Sequence, residues 1–289
     1  MKRVLLTGAS GFLGSWVQQV EHASWEIISV HRGMGLDLTD TAGLAVFLQK
    51  AQPDAIIHLA AQANANFCEK EPEAAWAINV GASTQLAEYA AQHKIPLLYT
   101  STDLVFDGKK APYAPDAPVN PINIYGTQKA EAEQRILSIY PQATIARMPL
   151  MYGAFTQTQH FMAQWRLQLL QNQPIKAFVD EFRTPAFAED AAAGLWLLLD
   201  KGATGIWHLG GPERSSRYHF ASLLAEMLGV DPDLVQASRQ ADLPMVANRP
   251  ADVSLDSTAA VALGYVARGV REGLEAAIQI MDILSKRLR

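Results

Sequence analysis

Cysteine is all but missing: Cys68 is the single one in 289 residues. No disulfide can form within the chain, and a reducing compartment is its natural setting. An excess of positive charge is also missing. The formal net charge is −5 and only 18% of residues are charged, which excludes the basic footprint of nucleic-acid-binding surfaces. Long apolar runs are missing too. Residues 1–6 lead into Thr7-Gly8, short of the roughly 7–15 apolar residues of a signal segment. Residues 186–199 include Glu189 and Asp190, so nothing approaches the roughly 20 apolar residues that span a bilayer. The expectation is a soluble cytoplasmic protein without a nucleic-acid or membrane partner. The histidines show no His-x-x-x-His pair and no ligand spacing to Cys68, so no metal is expected. No Gly-x-Ser-x-Gly elbow surrounds a serine, and Cys68 has no activating neighbour.

What is present is alternation. Hydrophobic residues make up 49% of the chain, enough for one large domain or two packed ones. Apolar runs at 4–7, 26–31, 55–59, 97–101 and 144–148 read as strands buried on both faces. Amphipathic stretches at 12–20, 41–50, 74–92 and 125–140 read as the intervening helices. This order predicts an α/β fold, a Rossmann-like doubly wound parallel sheet. Beyond residue 150 the rhythm loosens: helices are expected at 158–172, 188–200, 219–228 and 270–288, and a strand at 205–209. The expected division is a dinucleotide-binding domain over 1–150, joined by 186–211. Residues 151–185 and 212–289 would form a smaller C-terminal α/β substrate-binding lobe. Two loop-rich stretches, 107–121 with its four prolines and 229–256, are candidates to face a substrate. His58 falls in a buried-strand pattern and reads as a satisfied core histidine. Trp76, Trp165, Trp196 and Trp207 read as core aromatics, with Trp165 or Phe161 within reach of a substrate.

The first strand–helix junction carries Gly8, Gly11 and Gly14. The first permits a tight turn, the second lets a pyrophosphate approach the backbone, and the third lets the helix lie close to the sheet. Ser10, Phe12 and Leu13 belong to the same turn, where N–H groups at the helix start favour an anion. Near the end of the second strand the side chain is Arg32, and no acid occurs until Asp37. A guanidinium suits a 2′-phosphate, so NADP(H) is expected over NAD(H), with NAD(H) still admissible. Asp37 and Leu38, placed on a short third strand, would contact the adenine.

Tyr125 and Lys129 are one helical turn apart and share a face. A phenol titrates near 10 when free, and a nearby ammonium would stabilise its anion. Thr102 closes the fourth apolar run, at the strand end where doubly wound sheets bind ligands. Arg183, Arg214 and Arg217 could grip phosphates, or simply form surface ion pairs.

Together these residues resemble the extended short-chain dehydrogenase/reductases. The resemblance rests on the glycine pattern, Ala60-Ala61, Asn79-Val80, Ser101-Thr102-Asp103 and Tyr125-Gly126-Thr127-Gln128-Lys129. More narrowly, residues 100–108, 123–126, 182–190, 205–209, 249–256 and 271–274 are similar to the dTDP-4-dehydrorhamnose reductase family, across essentially the whole chain. The resemblance implies NADP(H)-dependent reduction of a nucleotide-activated keto sugar. The nicotinamide would deliver hydride while Tyr125 protonates the developing alkoxide. Thr102 would bond the substrate carbonyl, and Lys129 would tune Tyr125 and hold the ribose. The resemblance also implies cofactor contacts at Leu59, Ala60, Ala61, Asn79 and Thr100, substrate contacts at Asp103, Leu150, Arg183 and Arg249, and a homodimer through helix 125–140. Two departures bear on the sugar. Leu150 stands where many such reductases carry Trp, and residues 64–68 are less charged than usual. Two alternatives stay open: an epimerase or dehydratase that retains its cofactor, and an NADP-binding regulatory subunit without turnover.

Overall fold

The computed structural model describes residues 1–20, 22, 24–31, 33, 35–154 and 160–287, with the side chains of 285–287 left undescribed. Six parallel strands form the central sheet: β1 (Lys2–Thr7), β2 (Trp25–Val30), β3 (Ala55–His58), β4 (Leu97–Thr102), β5 (Thr144–Met148) and, later in the chain, β10 (Gly205–His208). Their spatial order is β10-β5-β4-β3-β1-β2. β3, β4 and β5 are buried at every position, which explains their unbroken apolar character. The chain leaves β1 for β2 on one side and returns to β3 on the other. The reversal opens a crevice above the carboxyl ends of β1 and β3, where such folds bind ligands.

Helices cover both faces. α1 (Phe12–Gln19) and α8 (Ala188–Asp200) lie on one face. α2 (Thr41–Ala51), α5 (Ser83–His93) and α6 (Ile124–Ile139) lie on the other. Caps fix several starts: Asp40 accepts from Gly43 N–H at 3.1 Å, and Asn123 accepts from Gly126 N–H at 2.8 Å. Outside the sheet, β6 (Met151–Tyr152) pairs with β9 (Ala186–Phe187). β7 (Ile175–Phe178) pairs with β12 (Val235–Ser238), and β8 (Phe182–Arg183) pairs with β11 (Ser215–Ser216). α7 (Phe161–Leu170) and α9 (Arg217–Leu228) pack around these pairs. α10 (Thr258–Leu263) and α11 (Val270–Arg287) complete the chain.

Four expectations are corrected. The stretch 74–92 is not one helix: α4 (Pro72–Trp76), a π-helical turn at Ala77–Ala82 and α5 succeed one another. The short α3 (Ala65–Lys70) precedes them. Asp37 and Leu38 form no strand; the Asp37 carboxylate accepts from Thr39 N–H and Oγ1 at 2.9 and 2.8 Å, which holds the segment as a turn. Residues 107–121 do not face the site. Tyr113 instead joins Val105, Phe106, Val253 and Leu255 in a separate small core. Trp76 is 39% exposed rather than a core residue, beside the Arg135 guanidinium.

Candidate active site

The glycine turn sits directly against the end of β3. Gly8 has φ +70°, and a Cβ there would lie 2.7 Å from Ala60 N. A Cβ on Gly14 would collide with the Gly8 carbonyl and lie 2.8 Å from Ala9 Cα, so α1 can approach the turn only through glycine. α1 starts at Gly11 with no side-chain cap, which leaves its entrance for an external anion. Behind the turn, Thr7 Oγ1 meets His58 Nδ1 at 2.6 Å, and His58 Nε2 meets Ser83 Oγ at 2.9 Å. Burial, helped by the ammonium of Lys129, lowers His58 to about 3. It is a neutral, fully bonded core histidine.

A cavity of about 870 Å³ runs from this turn into the space between the sheet and the smaller strand pairs. Gly8, Gly11, Phe12, Leu13, Gly14, Leu59, Ala61 and Thr100 line it around the glycine turn and the strand ends beside it. Thr102, Asp103, Tyr125, Lys129, Leu150, Arg183 and Arg249 line the remainder. Thr102 Oγ1 donates to Asp103 Oδ1 and accepts from Leu104 N–H, both at 3.2 Å. Tyr125 lies in the first turn of α6, one turn ahead of Lys129. A Cβ on Gly126 would strike the Leu104 carbonyl, so α6 rests tightly on the turn that follows Thr102.

The electrostatics differ from expectation at one point. Lys129 Nζ donates to the Thr100 carbonyl at 2.7 Å and stands 4.0 Å from the centroid of the Tyr99 ring. Burial lowers it to about 7 against the pull of Glu133. Tyr125 is not acidified. Burial, and then the Asp103 charge, push its phenol upward, opposed by a hydrogen bond with Thr102. Asp103 is itself raised by burial, with Arg183 pulling the other way. Arg183 Nη1 meets Asp103 Oδ2 at 2.8 Å and Arg183 Nη2 meets Glu181 Oε1 at 3.4 Å. Arg249 Nη1 lies 3.6 Å from Glu181 Oε2.

Several residues expected at the cofactor are not among those lining this cavity. Ser10 lines a neighbouring hollow of about 550 Å³ with Ser15, Ser29 and His31. Asn79 is buried as a clamp, accepting from Gln62 N–H and donating to Gln128 Oε1, both at 2.8 Å. Ala60 turns its N–H to Thr7 Oγ1 at 3.3 Å. Asp37 and Leu38 sit in the turn described above. Arg32 lies outside the described residues. Arg214 pairs with Asp252 at 2.6 Å and stacks on Phe182, away from the cavity. Glu181, His160 and Asn248 line the cavity although no sequence signal singled them out. Arg217 lines it too. Among the described residues no group of three or more His, Cys, Asp and Glu could hold a metal ion, and no helix is long and apolar enough to cross a membrane.

This doubly wound sheet, with three glycines in its first turn and Thr102, Tyr125 and Lys129 gathered at one cavity, defines the class of the extended short-chain dehydrogenases/reductases. The chain belongs to the RmlD substrate binding domain family, which matches residues 1–283. It is 32% identical over 273 residues to the dTDP-4-dehydrorhamnose reductase of Aggregatibacter actinomycetemcomitans, covering 89% of this chain and 92% of that protein. It is 30% identical over 293 residues to methionine adenosyltransferase 2 subunit beta of Xenopus tropicalis, covering 94% and 87%. Among solved structures, the Bacillus anthracis dTDP-4-dehydrorhamnose reductase in complex with NADP is 25% identical with a TM-score of 0.90, covering 96% of this chain and 99% of that one.

Proposed function

We propose that this chain is an NADP(H)-dependent reductase of a nucleotide-activated keto sugar. One observation carries the reading: a single cavity joins a glycine cradle that no Cβ could enter to a buried Thr102, Tyr125 and Lys129. Likeness to a reductase solved with NADP supports the cofactor, as does the choice of arginine at position 32. The cradle residues would hold the pyrophosphate, and Lys129 the nicotinamide ribose. NADPH held there would supply hydride chemistry at the keto carbon. Thr102 orients the carbonyl oxygen, and Tyr125, protonated and held near that oxygen, supplies its proton. In this reading residues 1–150 and 186–211 bind the dinucleotide, and 151–185 with 212–289 bind the sugar nucleotide. The site works in the cytoplasm, in a homodimer formed through α6. Ser10, Arg32, Asp37, Leu38, Ala60 and Asn79 enter the cofactor site only through positions that loaded cofactor would reveal. The test is NADPH oxidation against a panel of nucleotide 4-keto sugars. Turnover with one member is expected; cofactor that copurifies and is never consumed would point to an epimerase or dehydratase instead.

A second reading follows from the likeness to methionine adenosyltransferase 2 subunit beta: an NADP-binding partner of another enzyme, without turnover of its own. Inactivity on the whole panel, together with a stoichiometric enzyme partner in pull-down, would select it.

A further inference from the structure

Asn123 stands immediately before α6, two residues ahead of Tyr125, and is 6% exposed. Both ends of its side-chain amide are used. Oδ1 caps the helix by accepting from Gly126 N–H at 2.8 Å, and Nδ2 donates to the Asn248 carbonyl at 2.9 Å. At α2 and α9 the caps are Asp40 and Ser216, where an acceptor oxygen suffices. A carboxylate or hydroxyl would cap α6 in the same way. An amide adds a donor at its other end.

The partner of that donor belongs to a segment with few ties of its own. Residues 243–249 carry neither helix nor strand. Among the described residues, no backbone–backbone hydrogen bond joins 244–249 to another segment. Side chains do so instead. Asn66 Oδ1 on α3 accepts from Ala247 N–H at 3.2 Å, Asn123 holds the Asn248 carbonyl, and Glu181 Oε2 lies 3.6 Å from Arg249 Nη1. α3 also supplies Glu69, whose Oε1 accepts from Ile124 N–H at 2.9 Å. α3, the start of α6 and the strap 243–249 thus close a triangle of side-chain contacts. Asn123, Asn248 and Arg249 line the same cavity as Tyr125. A strap fastened by so few bonds opens locally at small cost. A ligand that needs it in place binds in proportion to the fraction of chains that hold it there.

We propose that Asn123 is a positioning residue for the substrate, a nucleotide keto sugar. Its amide donor fastens the strap 243–249 to the first turn of the helix that carries Tyr125 and Lys129, while its carbonyl oxygen caps that helix. The proposal rests on the reductase reading above and deepens it by naming the side chain that sets one wall of the substrate site.

Asn123→Asp separates the two ends: its carboxylate keeps the cap but sets oxygen against the Asn248 carbonyl. Asn123→Ser makes the same separation without a new charge beside Glu69. Hydrogen–deuterium exchange on the whole chain without ligand should quicken at 245–249 by about three- to tenfold in both variants. Exchange within α6, melting temperature and NADPH affinity should stay close to wild type. Steady-state kinetics with 4-keto-6-deoxy sugars linked to dTDP, UDP and GDP should show KM raised by about three- to tenfold for the member turned over, with kcat close to wild type. Unchanged exchange at 245–249 overturns the proposal whatever KM does; with KM raised, Asn123 would touch the substrate directly. A fall in kcat and melting temperature at unchanged KM also overturns it, because Asn123 would then be a cap alone. Both results leave the reductase reading standing. A wild-type chain that binds NADPH but reduces none of these sugars overturns both.

Discussion

Asp103 and Arg183 meet at 2.8 Å with both side chains buried. The residue that follows Thr102 on the central sheet is thereby tied to β8, which lies outside that sheet. Both partners of the ion pair line the cavity. Because Glu181 shares Arg183, one cation serves two buried carboxylates.

Arg183→Met would leave both carboxylates without that cation. Breaking a buried pair by removing one partner costs about 3–5 kcal/mol, to be read from urea unfolding near neutral pH. The sign of its pH dependence follows from Asp103, which burial already raises with Arg183 present. Without Arg183 it rises further, so the folded variant takes up protons that the unfolded chain does not. Its deficit should shrink as pH falls through the raised value. A deficit independent of pH would mean that Arg183 acts through packing alone.

Tyr125→Phe keeps the ring and removes the hydroxyl. Turnover should fall by roughly a hundred- to ten-thousandfold, with NADPH affinity and unfolding midpoint close to wild type. Retained turnover on any keto-sugar substrate would remove the phenol from proton donation.

Lys129 carries a pH signature of its own. Burial lowers it to about 7 from 10.5. Below about 7 the ammonium is charged in both folded and unfolded chains, and its burial cost is present in full. Between the two values the unfolded chain holds the proton and the folded chain releases it, so stability rises with pH. The slope attributable to this group is at most about 1.4 kcal/mol per pH unit. Urea midpoints of wild type and Lys129→Met, compared from about pH 6 to about pH 9.5, should diverge in that sense. Parallel curves would mean that the ammonium is better compensated than its burial implies.

Gly14→Ala tests the close approach of α1. The new methyl would meet the Gly8 carbonyl and Ala9, neither of which can turn aside as a flexible side chain would. A loss of about 1–3 kcal/mol is expected on unfolding, with a larger relative loss in NADPH affinity because the displaced backbone forms the cradle. Melting curves with and without NADPH separate the two effects.

Much of the fold was legible because burial on both faces leaves a plain mark: residues 55–58, 97–102 and 144–148 carry it, and each is a fully buried strand. The strand pairs beyond the sheet were not legible. Those of two residues, such as Met151–Tyr152 and Phe182–Arg183, have no periodicity to detect. The break in the helix over 74–92 was hidden for another reason. It accompanies Asn79, whose amide is used by Gln62 and Gln128 from other segments, and no local pattern announces such partners.

The site divided along the same line. Its glycine turn, Thr102, Tyr125 and Lys129 are recognisable from sequence alone, because spacing along one turn, one strand end and one helix face already constrains what they can share. Which carboxylate meets which arginine, and whether a buried phenol titrates up or down, depend on neighbours far away along the chain, as Asp103 and Arg183 are. Only the tertiary structure brings Glu181, Asp103 and Arg183 together and leaves the guanidinium of Arg217 against two rings. Charge and solvation act through space, whereas periodicity acts along the chain.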